Sequence, residues 1–301
     1  VLRAHGPFEP HRLSLEEMAT NPDVVHWTYP YPMYWENITN IYTVHDLIPL
    51  LHPELTGIDA RRMHRILEQC FQCATRIVTV SEAVKQDIAT FFPEYVGKVT
   101  NLSQSVEIVD EYEHEADRPT PAWTGPTGGF LYFGTIEKRK NIARLIHAHG
   151  LSRTQRPLVL IGNDGFGADE AWAALAMHPR PELVHCVRWC PRSQLLDAIR
   201  KARAIVFPSL AEGFGLPIIE AMALGTPVMT SLGHATEEVA GGAALLVNPL
   251  DMTDMAETLS RLDHDDAMCQ HLKMVGRWRA KEFSFRSYCE HVGKFYHDLT
   301  Q

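Results

Sequence analysis

Glu212 and Glu220 bracket a glycine-containing turn, Gly213-Phe214-Gly215-Leu216, that runs into Pro217-Ile218-Ile219. Gly213 and Gly215 carry no Cβ, so the backbone there can come close to a ligand. A helix that starts after such a turn presents unpaired N–H groups and a positive partial charge, which suits a phosphate. A second stretch has the same character: Gly134-Thr-Ile-Glu-Lys-Arg139-Lys140-Asn places a glycine turn and a run of cations at a helix start. Arg and Lys donate charge-assisted hydrogen bonds to phosphate oxygens, so Arg139 and Lys140 are candidates for holding a diphosphate. A third is His45-Asp46; read alone, such a pair is as a rule structural, with Asp46 orienting the loop or the imidazole. The competing reading of the first two stretches is a solvated surface, since paired carboxylates and basic helix starts are common there.

The elements that must position these residues follow from the apolar pattern. Ala204 to Ser231 reads as strand, loop, helix, turn, strand: Ile205 to Phe207 form the strand, Pro208 ends it, and Pro217 suits the first helical position. Ile218 to Leu224 carry the helix with Glu220 in its first turn, Gly225 stops it, and Val228 and Met229 begin the next strand. Glu212 then lies beyond a strand's carboxyl end, where open α/β sheets bind ligands. Further strands are predicted at Asp23 to His26, Ile38 to Val44, Arg76 to Val80, Phe130 to Phe133 and Leu158 to Ile161. His45 follows the second of these.

Helices are predicted over Asp59 to Ala74, where Met63, Leu67, Cys70 and Phe71 recur at helical spacing, after a Ser81 cap, and over Gln194 to Ala202. Trp27 to Trp35 is an aromatic, proline-rich loop, and two readings stay open: a platform for sugar or lipid, or a lid packed on its own domain. Arg61, Arg62 and Arg65 read as a solvated helix face or an anionic-lipid contact. Glu107 to Gly129, acidic and then rich in proline and glycine, marks an interdomain connection.

At 301 residues the chain favours two domains, and its 45% hydrophobic and 22% charged content is that of a globular protein. Lys+Arg 28 against Asp+Glu 37 gives a formal charge of -9, which argues against nucleic acid as a partner. The six cysteines do not form a secreted disulfide pattern, and Cys70 reads as core rather than as half of a zinc site. No stretch has the length of a membrane span; the cysteine usage favours a reducing, cytoplasmic setting, with peripheral contact at the inner membrane face left open. Gly162, Gly165 and Gly167 are spaced unlike a dinucleotide fingerprint, and no Walker-type lysine loop is present.

Glu212-Gly-Phe-Gly-Leu-Pro-Ile-Ile-Glu220 with AMALGTPV after it resembles the E-x7-E signature of glycosyltransferase family 4. The Gly134 to Asn141 string resembles that family's G-T-L-E-P-R-K-N variant, TVHDLIPL its first-lobe histidine motif, and LGHATEEVAGGAALLVNPLD its Glu-Val segment at Glu238-Val239. The resemblance runs over nearly the whole chain from about residue 23, most closely between 130 and 250. It implies the GT-B fold: two Rossmann-like α/β lobes with parallel sheets flanked by helices, and the active site in the interdomain cleft. The expected division is 1–118 for an acceptor-side lobe short at its N-terminus, 119–285 for the nucleotide-sugar lobe, and 286–301 for a helix crossing back to the first.

The activity implied is retaining hexosyl transfer from a nucleotide-diphosphate sugar, GDP- or UDP-linked, to a glycan or lipid-linked saccharide, without cofactor or metal. A mannosyl donor is expected by analogy. His45 and Glu212 are the implied catalytic residues. Gly134, Arg139, Lys140, Gly213, Phe214, Gly215 and Leu216 are implied for the donor's diphosphate and sugar, Glu220 for the ribose, and backbone at Val187 and Arg188 for the base. Two other readings compete: a sugar-nucleotide epimerase or hydrolase on the same fold, and a non-catalytic sugar-nucleotide-binding module.

Overall fold

The structure, a computed structural model, describes residues 10–13, 22–108 and 128–299. Most of the interdomain connection, including Pro119, Pro121, Gly125 and Pro126, lies outside the described residues. The chain forms two compact units, one of Val1–Gln104 with Tyr288–Gln301 and one of Ser105–Ser287.

In the first unit, strands β2 (Val24–Trp27), β4 (Thr39–Val44), β5 (Arg76–Thr79) and β6 (Val99–Asn101) form a parallel sheet in that order. Helices α1 (Ile48–Leu51), α2 (Ala60–Cys73) and α3 (Glu82–Phe91) connect them. The Asp59 and Ser81 side chains cap α2 and α3, each accepting from the backbone N–H three residues on. Met63, Leu67, Cys70 and Phe71 are buried on the inner face of α2, whereas Arg61, Arg62 and Arg65 are exposed. The aromatic loop is more regular than its prolines suggest. Met33–Trp35 is a strand, β3, pairing in parallel with β1 (His11–Leu13). The pairing begins just past Pro32, where the missing N–H no longer interrupts a ladder.

The second unit holds a six-stranded parallel sheet in the order β12-β11-β10-β7-β8-β9. Its strands are β7 (Phe130–Phe133), β8 (Leu158–Ile161), β9 (Val184–Val187), β10 (Ala204–Phe207), β11 (Val228–Ser231) and β12 (Leu245–Val247). The chain starts in the middle at β7, winds outward to β9, returns beside β7 as β10, and winds outward the other way, as in a Rossmann sheet. Every residue of β7, β8, β10 and β11 is buried, the signature of a parallel sheet covered on both faces. The covering helices are α4 (Ile142–Ser152), α5 (Ala168–Ala176), α6 (Arg192–Lys201), α7 (Leu216–Leu224), α8 (His234–Ala240), α9 (Met252–His264) and α10 (Asp266–Glu282). The last helix, α11 (Phe285–Leu299), ends in the first unit, where the Tyr296 hydroxyl meets His26 Nδ1 at 2.5 Å.

One polar chain crosses the second unit's core. The Arg180 N–H donates to His178 Nδ1 at 3.0 Å, so the His178 proton sits on Nε2 and is donated to His149 Nδ1 at 3.0 Å. His149 Nε2–H in turn donates to the Arg156 carbonyl at 2.9 Å. Each imidazole has its proton assigned and neither has room for a second. Burial pushes His149 down to about 4 and lowers His178 as well. A histidine depressed in the folded state is neutral in both states above its unfolded value of 6.5, and below it the unfolded chain binds the proton first. Stability is therefore expected to fall as pH drops from 6.5 toward 4, by on the order of 2 kcal/mol at pH 5. Thermal denaturation across this range checks it, and His149→Gln should flatten the slope.

Candidate functional site

Return of the chain to the middle of the second sheet creates the site. β7 and β10 are neighbours, but their connections leave in opposite directions, opening a crevice at their carboxyl ends. Gly134 to Lys140 leaves β7 into that crevice, and Pro208 to Gly215 leaves β10.

The β7 connection ends in a single 3-10 turn, Lys138–Lys140, locked by Asn141. Asn141 is buried with φ 63°, and its amide donates to the carbonyls of Pro208 at 3.0 Å and Pro249 at 2.6 Å. Asparagine tolerates this left-handed conformation, and the two bonds hold the basic turn against the loop after β10. Gly162, which follows β8, is constrained by the same crowding: a Cβ there would lie 1.9 Å from the Gly134 carbonyl oxygen.

Two cations of the turn converge on one carboxylate. Lys140 Nζ donates to Glu212 Oε1 at 2.5 Å, and Arg139 Nη1 donates to Glu212 Oε2 at 2.7 Å and to the Ala211 carbonyl at 3.1 Å. The other arm of Arg139 donates to Glu137 at 2.6 Å. Lys140 also lies over the Phe207 ring, 4.8 Å from its centre. Glu212 is 7% exposed. Burial alone would raise its pKa, but Lys140 and then Arg139 outweigh that and hold it below the ordinary value, so it is a buried anion at neutral pH.

Helix α7 begins beside this cluster. Its cap is Gly215 at φ 109°, a conformation that side-chain-bearing residues avoid, and no side chain caps the helix. The helix starts at Leu216, one residue earlier than the proline implies, because glycine can make the turn. Glu220 consequently falls in the second turn and not the first. It is paired with Arg192, the first residue of α6. Gly213, Phe214 and Gly215 are buried and Leu216 is exposed at the helix start.

On the first unit, His45 directly follows β4 and is exposed. Its Nε2 lies 2.9 Å from the Thr28 carbonyl, which fixes the ring proton on that nitrogen. Asp46 accepts from the Ile48 N–H at 3.1 Å, orienting the turn into α1. At the edge of the second sheet, Val187 ends β9 with its carbonyl accepting from the Gly162 N–H at 2.9 Å, and Arg188 is exposed beyond it.

The chain matches "Glycosyltransferase Family 4" over residues 2–100 and "Glycosyl transferases group 1" over residues 127–265. It is 31% identical over 258 residues to O-antigen chain mannosyltransferase B of Escherichia coli, an alignment covering 82% of this chain and 67% of that protein. The chain belongs to glycosyltransferase family 4. Serotype-specific mannosyltransferase WbdA of Escherichia coli is 28% identical over 256 residues, 80% of this chain but 31% of that much longer protein. Among solved structures, sucrose-phosphate synthase of Thermosynechococcus elongatus superposes with a TM-score of 0.74 at 19% identity, over 92% of this chain and 74% of its own. Anabaena HepE, solved with UDP and glucose, gives 0.70 at 17%, over 87% and 72%. The fold is GT-B, with two Rossmann-like units.

For this family-4 glycosyltransferase, the structure gathers Arg139, Lys140, Glu212 and the start of α7 into one cluster, with Glu220 on the same helix. Arg192 is the residue that sequence reasoning missed. It lies far from Glu220 along the chain and precedes a helix whose predicted start was Gln194; only the earlier start of α6 at Arg192 brings it to the site. No helix among the described residues is long and apolar enough to cross a membrane.

Proposed function

We propose that this protein transfers a mannosyl residue, with retention of anomeric configuration, from a nucleoside-diphosphate mannose to a growing saccharide of the O-antigen type. The observation that carries the reading is the convergence of Lys140 and Arg139 on Glu212 beside the uncapped start of α7. Departure of a nucleoside diphosphate leaves an anion and an oxocarbenium-like sugar. In this reading Lys140 and the amides opening α7 take the anion, and preorganised donors of this kind can each contribute several kcal/mol. Arg139, with three acceptors already engaged, acts mainly as the strut that sets Glu212. The carboxylate of Glu212 uses its remaining lone pairs on sugar hydroxyls, Glu220 takes the ribose, the backbone at Val187 and Arg188 the base, and His45 is a further sugar-binding residue by the family likeness. Because side-chain cations do the charge work of Mg²⁺, transfer should persist in EDTA. The setting is cytoplasmic, at the membrane face when the acceptor is lipid-linked.

The test is a donor panel of GDP- and UDP-sugars with a mannose-terminated oligosaccharide, the product anomer being read by NMR. Transfer from GDP-mannose giving an α-linked product supports the reading. Sugar release or epimerisation that does not need the acceptor, or binding without turnover, overturns it.

A smaller effect is expected at Arg192. It leaves one oxygen of Glu220 to the ribose, and its side chain is 47% exposed, so the pair is screened by water. Arg192→Ala should raise the donor KM by roughly 3- to 5-fold, with kcat nearly unchanged and Arg192→Lys partly restoring it.

A further inference from the structure

The segment Thr28-Tyr29-Pro30-Tyr31-Pro32-Met33 is built unlike an ordinary loop. The Tyr31 N–H donates to the Tyr29 carbonyl at 2.9 Å, and the Met33 N–H to the Tyr31 carbonyl at 2.7 Å. These are two successive three-residue turns, each centred on a proline, whose fixed φ suits the central position. The result is a zigzag: Pro30 and Pro32 are buried, while Tyr29 is exposed and Tyr31 half-exposed on the other side. Their rings lie 5.3 Å apart, tilted by 55°.

The zigzag is anchored at both ends. The Pro32 carbonyl accepts from the His11 N–H at 2.7 Å and the Met33 carbonyl from the Tyr42 hydroxyl at 2.5 Å. Asn40, buried, accepts from the Trp35 N–H at 2.9 Å and from the Trp27 indole at 3.3 Å. Both tyrosines are thus displayed by a preordered backbone, which lowers the entropy cost of binding. The surface also adjoins chemistry: His45 is bonded to the Thr28 carbonyl, and partial desolvation of the otherwise exposed ring, then the Asp46 carboxylate, raise the Tyr29 phenol above its usual range.

We infer that Tyr29 and Tyr31, with Asp46 beside them, form a platform for two consecutive sugar units of the saccharide acceptor. This rests on the transferase reading of His45. A pyranose has an apolar C–H face that stacks on an aromatic ring and a rim of hydroxyls that needs polar partners; phenol and carboxylate supply them. The 55° angle between the rings suits a chain that bends from one unit to the next over a flat one. A lipid surface is less well served, because anionic headgroups are repelled by the carboxylate.

Saturation-transfer NMR with methyl α-mannoside and an α-linked mannotriose, without donor, tests this directly. The trisaccharide should bind at least 5-fold more tightly than the monosaccharide. Tyr29→Ala/Tyr31→Ala, checked for folding by its melting temperature, should abolish that difference, and Tyr29→Phe/Tyr31→Phe should keep most of it. Equal binding of the two sugars, an unchanged trisaccharide signal in the alanine variant, or loss only of binding to phosphatidylglycerol vesicles would overturn the platform. Failure of the transferase reading shows up separately, as absence of nucleotide-sugar binding or turnover in a protein that still binds the trisaccharide.

Discussion

Glu212→Gln is expected to reduce the transfer rate by roughly 10²–10³-fold while nucleoside diphosphate binds as tightly as before or more tightly. The two halves of that result have one cause. Glu212 is the internal anion between Lys140 and Arg139, bonded through both of its oxygens. A neutral amide of the same shape leaves the cations in place with less compensation, so their attraction for phosphate does not fall. What is lost is the charge that fixes their geometry and steadies a developing cationic sugar. The same change should cost roughly 1–3 kcal/mol of stability, because mostly buried cations lose a charged partner. In the wild-type protein the depressed Glu212 carboxyl contributes stability above its unfolded value of 4.5, lost as pH falls through the lower folded value. The Gln variant lacks that contribution. Initial rates, calorimetric titration with GDP and UDP, and pH-dependent melting read the three effects.

Lys140→Ala separates binding from chemistry in the opposite sense. The lysine is 12% exposed and held from two sides, by Glu212 at 2.5 Å and the Phe207 ring at 4.8 Å, so its amine is already aimed before a ligand arrives. Loss of a hydrogen bond to a charged group should weaken nucleoside-diphosphate binding by roughly 1.5–3 kcal/mol, about 10- to 150-fold. The rise in melting temperature that a saturating donor gives the wild type should shrink correspondingly. Lys140→Arg should not restore it fully, since a guanidinium over Phe207 spreads its charge across a longer planar fork and does not bring a compact ammonium to the same point. A His45→Ala variant should resemble Glu212→Gln in losing turnover more than donor affinity.

Much of this site was legible in the sequence because its strands are short apolar runs and its turns are punctuated by glycine and proline. Ala204–Phe207, Gly225 as the stop of α7 and Val228–Ser231 follow from that punctuation almost residue by residue. The placement of Arg139 and Lys140 near Glu212 followed from the resemblance, and the observed sheet order, with β7 beside β10, supplies its physical reason. What stayed hidden depends on tertiary partners. The Glu220–Arg192 pair needs the relative placement of α6 and α7. The His149–His178 chain needs one helix and the two loops packed against it, since neither histidine stands out from its apolar neighbours. The aromatic, proline-rich loop was legible with its two open readings, platform or lid, but its zigzag was not, because side-chain alternation there arises from turn geometry and not from a strand's period.

A crystal structure of the protein with bound GDP or UDP tests the central claim most directly. The expected result is a diphosphate accepting from Lys140 Nζ and from the backbone amides that open α7 at Leu216, with Glu212 still bonded to Arg139. A diphosphate bound instead along the Gly162 to Gly167 loop, with Lys140 and Glu212 paired to each other and untouched by ligand, would contradict it.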